Sequence, residues 1–218
     1  MAEDNSRAID KQPMYRRVAD LHAATINRGF LATLGPEFLS LMYEAIDEGP
    51  DSVLLVSRDG DQIVGFVAGS LGMRPIYLRI LRRWPRLFLA LLPSVVSPRR
   101  LWRIVEIVRY SGDAASPVSL PQAELLSIGV DASFRRAGHA ESLYQRLCEH
   151  FRNSGVAQFK IVVGSSLEPA HRFYRRMGAV SAARVEVHKG EASTVYVQTV
   201  ITKGKRRSEA LPAGRRVA

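Results

Sequence analysis

The stretch from Glu124 to Ala140 constrains the fold of this chain more than any other. It opens with a short apolar run, Leu125 to Val130, which has the length of a strand and no helical stripe. A turn follows at residues 131–133, and a helix begins near Ala140, where apolar residues recur at intervals of three and four. A strand, a tight turn and a helix start together present free backbone N–H groups to an anion.

The step into this helix has the features of an anion-binding turn. Gly138 and Ala140 have little or no side chain, so a phosphate group can approach the main chain closely. Formal positive charge lies at the same place, where the aligned peptide dipoles of the helix already add partial positive charge. We predict a pyrophosphate cradle, called the cradle below, made of Arg135, Arg136, Ala137, Gly138, His139 and Ala140.

This stretch resembles motif A of the GCN5-related N-acetyltransferase (GNAT) superfamily. The family pattern is Gln or Arg, two residues, Gly, one residue, and then Gly or Ala, and it is matched by Arg135, Gly138 and Ala140. Phe134 also stands where the family usually has an aromatic residue. The chain departs from the pattern at Ala132, where a Pro is common.

A second segment resembles the same family further along the chain. Members commonly have Asn, two residues, Ala, two residues, an apolar residue with Tyr, three residues and Gly-Phe. The positions that match are Ala170, Phe173, Tyr174 and Gly178. Leu167 replaces the Asn and Ala179 replaces the Phe. Two partial motifs in the right order and at the right spacing are more specific than either one alone.

The resemblance and the order of elements together imply an α/β (α+β) acetyltransferase fold with a mixed sheet and a splayed central strand pair. The central strand and the strand at Phe159 to Val163 are linked by a helix, as a parallel pair requires. Further strands are expected at Ser52 to Val56, Gln62 to Ala68, Val180 to His188 and Ser193 to Ile201, and helices around Val18 to Ile26, after Pro36, from Ala140 to about Asn153, and from Ala170 to Met177.

Length and composition suit one domain. The 218 residues, of which 46% are hydrophobic, are enough to bury a core. We predict one acyl-CoA N-acyltransferase domain over residues 1–202, with a basic disordered tail at 203–218. The single cysteine, Cys148, cannot form an internal disulfide, residues 1–11 contain no apolar signal segment, and no run reaches the roughly 18 apolar residues of a membrane span. A cytoplasmic protein is expected.

Residues 73–112 form an arginine-rich insertion in this pattern. They hold nine arginines and one acid, Glu106, and so account for eight of the ten net positive charges. Two amphipathic helices are predicted, at Ile76 to Leu92 and Pro98 to Arg109. One hypothesis is a hairpin that packs on the sheet and solvates its arginines. The other is a lid on the substrate side, or a peripheral contact with the inner face of an anionic membrane, because arginine alternates with tryptophan and leucine.

The resemblance implies direct attack of an amine on a thioester. Tyr174 is then placed to give a proton to the departing thiolate, and Glu124 stands where some members have a base whose pKa is raised by burial. A tyrosine that only anchors its helix and a solvated carboxylate at a strand end are the alternatives. Further candidates for the base are His22, His139 and His171, although His139 lies inside the cradle.

The cosubstrate implied by the resemblance is acetyl-CoA. Backbone groups around Ile128, Gly129 and Val130 would hold the pantetheine arm between the splayed strands, and an N–H there would polarise the thioester carbonyl. Gly129 would let the arm lie close, and Phe173 belongs to the same predicted binding site. No metal is expected, because the five histidines and the one cysteine show no ligand spacing.

The expected function is transfer of an acetyl group from acetyl-CoA to a primary amine on a small molecule. An amino sugar or another anionic molecule is the candidate acceptor. Specific binding of nucleic acid is not expected, since no helix-turn-helix, zinc finger or RNP signature is present. The alternative is a non-catalytic acyl-CoA sensor or a basic module that binds a membrane or nucleic-acid surface. A homodimer is left open.

Overall fold

A computed structural model of the chain describes residues 11–26, 34–95, 120–188 and 191–200. Three predictions fall on residues outside these ranges. They concern the first ten residues, the helix from Pro98 to Arg109 and the tail from residue 203. In chain order the elements are α1 (Gln12–Thr25), α2 (Pro36–Asp47), β1 (Ser52–Asp59), β2 (Gln62–Ser70), α3 (Met73–Arg82), α4 (Trp84–Val95), β3 (Glu124–Val130), a short 3-10 helix (Ala132–Phe134), α5 (His139–Asn153), β4 (Gln158–Gly164), α6 (Glu168–Arg176), β5 (Val180–His188) and β6 (Glu191–Thr199).

The strands form one mixed six-stranded sheet in the order β1-β2-β3-β4-β6-β5. Every neighbouring pair is antiparallel except β3 and β4, which are parallel and connected through α5. The predicted strands β1 and β2 form a hairpin, with Gly60 at a φ of +55° in its tip. The mixed sheet and the parallel central unit predicted from the sequence are therefore confirmed.

The parallel pair β3 and β4 stays together only at its start. Glu124 lies opposite Lys160 and Leu125 opposite Ile161. Beyond these two positions, no further pairing joins β3 to β4 in the part of the chain that the structure describes. The strands diverge there and leave an open gap, called the fork below. The predicted splay of the central strands is confirmed.

Helices cover both faces of the sheet. On one face, the α1–α2 face, α1 to α4 pack around a core that includes Leu39, Tyr43 and Phe66. On the other, the α5–α6 face, the core includes Leu143 and Phe159. The apolar residues of α2 are buried, namely Phe38, Leu39, Leu41, Met42 and Ile46. Among the described residues, no helix has both the length and the apolar composition needed to cross a membrane.

The predicted helix from Ile76 to Leu92 is wrong, because the structure has two helices there. α3 ends at Arg82 and α4 begins at Trp84. The cause is Pro85, which lacks a backbone N–H and disfavours helical conformation in the residue before it, so that it fits in the first turn of a new helix. α4 then continues to Val95, beyond the predicted end at Leu92.

Arginines of the insertion dock it onto α2 and β1. The ion pairs are Arg79–Asp51 (2.6 Å), Arg83–Glu44 (2.8 Å), Arg86–Glu44 (2.8 Å) and Arg83–Glu48. Burial by itself would raise the pKa of Glu44, but hydrogen bonds and charge from the arginines bring it below its ordinary value. The hypothesis that these arginines are simply solvated is therefore wrong for Arg79, Arg83 and Arg86.

Smaller differences at element ends have local causes. α1 begins at Gln12 and α6 at Glu168, each with a proline in its first turn, where the fixed φ of proline suits a helix start. The sequence predicts these helices from about Val18 and from Ala170, so both begin earlier than expected. β6 lies two residues earlier than predicted at both ends.

Candidate active site

Asp131 builds the turn that follows β3. Its Oδ1 accepts a hydrogen bond from the Ser133 N–H at 3.1 Å, which closes the 3-10 helix. Its Oδ2 lies 3.1 Å from Arg17 on α1, whose Nε also donates to the Ile63 carbonyl at 3.0 Å. The Ser133 amide first, and Arg17 in addition, hold the pKa of Asp131 below its usual value. The predicted turn is thus present and tied to α1.

Two residues with positive φ then turn the main chain into α5. Gly138, at φ +82°, precedes the first helical residue, His139. Arg136 has a φ of +67°, which costs a residue with a side chain about 1–2 kcal/mol. Residues held in such conformations gather at ligand-binding sites. The positive φ of Arg136 therefore makes this turn a candidate ligand-binding site.

The cradle is open. Residues 135–138 are exposed, and a Cβ atom added to Gly138 would meet no atom within 4 Å. Within the described ranges, the amides of residues 136–141 donate to no acceptor, and the first bond of α5 runs from the Ser142 N–H to the Gly138 carbonyl at 3.0 Å. These amides point from the positive end of a helix and are accessible to an anion.

The side chain of His139 braces the cradle. Its Nδ1 lies 2.8 Å from the Ser57 hydroxyl on β1, and its ring meets Phe134 edge-on at 6.2 Å. The imidazole is thus turned toward the sheet, and the main-chain N–H of His139 is left in the open first turn of α5. Nothing in the motif had indicated the bond to Ser57.

The register of β2 and β3 decides which backbone groups face the fork. The Asp131 N–H donates to the Val64 carbonyl at 2.8 Å, so these two residues form a hydrogen-bonded pair. Because such pairs alternate along an antiparallel ladder, Gly129 bonds to β2, whereas the N–H and C=O of Ile128 and Val130 point toward β4. Since β4 has diverged there, Ile128 and Val130 present their backbone groups to the fork.

Gly129 is required for packing. A Cβ atom at this position would lie 2.5 Å from the Thr25 hydroxyl and 2.8 Å from the Phe66 ring. Its side-chain space is therefore filled by α1 and β2. This is a different cause from the expected one, which was close approach of a pantetheine arm, and the polar backbone groups of Gly129 are used within the sheet.

β3 contains a bulge at Leu126. Leu125 lies opposite Gly69 and Ser127 opposite Ala68, so Leu126 has no partner on β2. One extra residue reverses the faces of a strand. Leu126 consequently packs on the α1–α2 face, and Ser127 bonds to Tyr43 on that same face. The apolar run in the sequence contains no pattern that predicts this bulge.

Glu124 lies where the fork begins. Its Oε2 is 3.6 Å from the Lys160 Nζ, which is an ion-pair distance and too long for a good hydrogen bond. Burial raises the pKa of Glu124 above 4.5, and Lys160 opposes part of that rise. The residue predicted as a base thus has a raised pKa, but it also faces an ammonium group that the sequence did not indicate.

Tyr174 is buried in an aromatic cluster on the α5–α6 face. Its ring lies 6.0 Å from Tyr144, 5.3 Å from Phe173 and 6.3 Å from Tyr196. Burial raises its pKa. The packing of its ring in this cluster anchors α6. The backbone-presenting residue Ile128 packs against this same cluster.

Two further side chains considered in the sequence are already engaged or inert. His171 is buried, with Nε2 3.1 Å from the Gly164 carbonyl and Nδ1 2.9 Å from the Tyr196 hydroxyl, so both ring nitrogens are used. Burial raises the pKa of Cys148 to about 11, which makes it a poor nucleophile. Within the described ranges, no group of three or more His, Cys, Asp or Glu side chains could hold a metal ion.

Comparison with known proteins identifies the family. The family model described as "Acetyltransferase (GNAT) family" matches residues 23–179, which is more than half of the chain. The chain belongs to the GNAT acetyltransferase family. The matched residues include β3, the cradle and α6, where both sequence resemblances lie. None of the curated proteins compared with the chain matches it significantly.

Solved structures of GNAT proteins share the fold. An N-acetyltransferase from Staphylococcus aureus Mu50 is 15% identical, with a TM-score of 0.56 over 88% of this chain and 95% of that one. The ribosomal-protein-S18-alanine N-acetyltransferase from Escherichia coli is 13% identical (TM-score 0.52; 91% and 93% covered). An aminoglycoside 6'-N-acetyltransferase complexed with coenzyme A is 12% identical (TM-score 0.52; 94% and 98% covered). Identities this low establish the fold and not the substrate.

The raised pKa of Glu124 predicts a pH-dependent stability difference. An acid whose pKa is higher in the folded state costs stability as the pH rises through the interval from 4.5 up to the folded pKa. The free energy of unfolding of the wild type minus that of Glu124→Gln should therefore be larger at pH 4 than at pH 7. Urea unfolding of both proteins across this range measures the difference. A constant difference would contradict the raised pKa.

Proposed function

We propose that this GNAT protein transfers the acetyl group of acetyl-CoA to a primary amine by direct attack. The open cradle is the observation that carries the proposal: unbonded amides at residues 136–141 within the described ranges, beside the exposed Arg135 and Arg136. Such a turn suits a diphosphate. Support also comes from the structural neighbour that was solved in complex with coenzyme A.

In this proposal the cosubstrate runs from the cradle into the fork. The amides and arginines of the cradle bind the diphosphate, and the pantetheine arm lies along β3, where Ile128 and Val130 present their backbone groups. An N–H of this pair would donate to the thioester oxygen and stabilise the negative charge that develops on it during attack. Gly129 keeps α1 close to the strand, and Phe173 adds apolar contact beside the fork.

The proposed proton transfers use opposite faces of the sheet. Glu124 would take a proton from the acceptor ammonium, directly or through a water, and its raised pKa suits that role. The C–N bond then forms, the attacking nitrogen loses its second proton to water, and the C–S bond breaks. The thiolate takes the phenolic proton of Tyr174, which is afterwards restored from water. Because burial raises the pKa of Tyr174, its hydroxyl stays protonated until a thiolate forms beside it.

The nature of the acceptor is the finer part of the proposal. The sequence argument for an amino sugar or another anionic acceptor came from the charge of the insertion. Arg79 is paired with Asp51, just before β1, and Arg83 and Arg86 are paired with Glu44 on α2, which removes these arginines from that argument. Within the described part of the insertion, the case for an anionic acceptor now depends on Arg74 and Arg82, which are exposed.

The catalytic part of the proposal predicts a large loss in Tyr174→Phe. This variant should retain its fold and its affinity for CoA, yet release thiol from acetyl-CoA about 100-fold more slowly with a competent amine. The assay is free-thiol release against a panel of amino sugars, amino acids, polyamines and peptides. Unchanged turnover would remove Tyr174 from the role of acid. CoA binding without thiol release from any amine would favour the acyl-CoA sensor.

The binding part of the proposal can be tested with two matched glycines that flank α5. Gly138 and Gly155 have similar positive φ values, +82° and +76°, and neither would place a Cβ atom within 4 Å of another atom. Replacement by alanine should therefore cost about 1–2 kcal/mol of stability at each. Only Gly138→Ala should also weaken CoA binding, by about tenfold or more, because its methyl group lies in the cradle. Titration calorimetry measures this, and equal CoA affinity in both variants would contradict a cradle at Gly138.

The outer face of α3 and α4 favours a second, separate function. It carries apolar side chains that are half exposed or more: Leu78, Leu81, Trp84, Phe88 and Leu89. The exposed Arg74 and Arg82 lie on the same two helices. We propose that this face makes peripheral contact with an anionic bilayer, since exposed aromatic and aliphatic side chains with arginines suit an interface between water and anionic lipid.

A matched pair of substitutions tests the membrane proposal. Trp84 and Val180 are both 69% exposed, and Val180 lies on β5, away from α3 and α4. Trp84→Glu should lower flotation with anionic vesicles about tenfold, whereas Val180→Glu should not change it. Binding should also fall with added salt, because the arginines supply part of the attraction. Equal flotation of the two variants would contradict the proposed membrane contact.

A further inference from the structure

Three polar side chains form a chain across the α1–α2 face. The Nδ1 of His22 on α1 lies 2.6 Å from the Tyr43 hydroxyl on α2, which lies 3.0 Å from the Ser127 hydroxyl on β3. His22 and Tyr43 are buried, whereas Ser127 is half-buried. Ser127 is thus the end of the chain nearest to solvent. None of these residues has a part in the transfer described above.

The bulge in β3 places the Ser127 hydroxyl at the fork. Ser127 lies two residues beyond Leu125, the last residue that pairs with β4, and it directly precedes Ile128, whose backbone faces the fork. Leu125 packs on the α5–α6 face, so its neighbour Glu124 points to the opposite face, where Ser127 also lies. The proposed base and the end of the polar chain therefore share one side of the fork.

The two distances indicate a direction for the chain. Burial lowers the pKa of His22 to about 4, so its imidazole is neutral at physiological pH and one of its nitrogens accepts. A phenol is a better donor than an aliphatic alcohol, and an imidazole nitrogen is a better acceptor than a hydroxyl oxygen. The shorter bond is therefore assigned to the Tyr43 O–H donating to Nδ1. Tyr43 then accepts from the Ser127 O–H, and within the described residues no donor contacts the Ser127 Oγ.

We infer that the Ser127 Oγ is the hydrogen-bond acceptor that orients the acceptor amine in the fork, with Tyr43 and His22 as positioning residues. The inference rests on the proposed acetyl transfer and names a binding contact for its second substrate. One N–H of the amine donates to Ser127 while Glu124 takes the proton that must leave. The nitrogen lone pair is then directed at the thioester carbon beside Ile128. Ser127 keeps its own proton throughout.

The competing explanation is purely structural, because the hydrogen bonds from His22 to Tyr43 and from Tyr43 to Ser127 also connect α1 and α2 to the sheet. A structural role predicts lower thermal stability when any hydroxyl is removed. It predicts no selective change in how the enzyme uses its second substrate. The KM values for the two substrates, measured separately, distinguish the two explanations.

The test uses hydroxylamine as a small, largely unprotonated nitrogen nucleophile, together with any amine found competent in the panel. Formation of acetohydroxamate from acetyl-CoA is measured for Ser127→Ala, Tyr43→Phe and the double variant. Ser127→Ala should lower kcat/KM for the nucleophile about tenfold, which is the loss of one hydrogen bond, and leave the KM for acetyl-CoA within about twofold. Ser127→Thr, which keeps a hydroxyl, should retain most activity.

A double-mutant cycle separates positioning from independent effects. Tyr43 acts only through Ser127, so Tyr43→Phe should lower kcat/KM in the wild type but add no further loss to Ser127→Ala. The matched control is Tyr15→Phe, which removes another buried hydroxyl from the same helical layer, one bonded to Asp47 at 2.8 Å. This control should lower the melting temperature and leave transfer unchanged.

Several outcomes would overturn the inference. These are full activity in Ser127→Ala, an additive loss in the double variant, and a loss in Tyr15→Phe equal to that in Tyr43→Phe. A wild-type protein that CoA stabilises but that makes no acetohydroxamate would show that no nitrogen reaches the thioester beside Ser127. If CoA fails to stabilise the wild type, the proposed function itself fails, and that result is separate from the others.

Discussion

The early divergence of β3 from β4 is the constraint on which this site depends. A parallel pair that continued beyond Leu125 and Ile161 would use the backbone groups of Ile128 and Val130 within the sheet. Divergence leaves these groups available in the middle of a packed domain, where unpaired polar groups are normally costly. A ligand that supplies the missing partners, as an amide-containing arm does, resolves that cost. This cost is the physical reason for proposing that the fork binds such an arm.

Packing on both sides keeps the two strands apart. α1 approaches β3 so closely that only glycine fits at position 129, and Arg17 fixes the end of the same strand through Asp131. On the α5–α6 face, Tyr144 and Tyr174 fill the space between the helices that follow β3 and β4. β3 is thus held by contacts with β2 and α1, and it does not need β4 as a partner. The shape of the fork is a property of the core.

Sequence periodicity and short motifs were enough to predict the mixed sheet, the strand-turn-helix at the cradle and the parallel central unit. Elements with several local signals were the ones predicted well, as in α2 with its buried stripe. What stayed hidden depends on contacts between distant residues. The bulge at Leu126 appears only in the register with β2, and the Ser127–Tyr43–His22 chain joins side chains from three elements. The bond from His139 to Ser57 is of the same kind.

The positions of the charged residues are more informative than the net charge of the chain. Eight of the ten net positive charges lie in the insertion, which suggested a basic surface there. Arg83 and Arg86 instead surround Glu44, a buried carboxylate that would be costly without them. Arg135 and Arg136, by contrast, are exposed beside unbonded amides, and no ion pair engages them within the described ranges. Formal positive charge, the positive end of a helix and unbonded N–H groups coincide at the cradle, and this coincidence is the reason for proposing it as the diphosphate site.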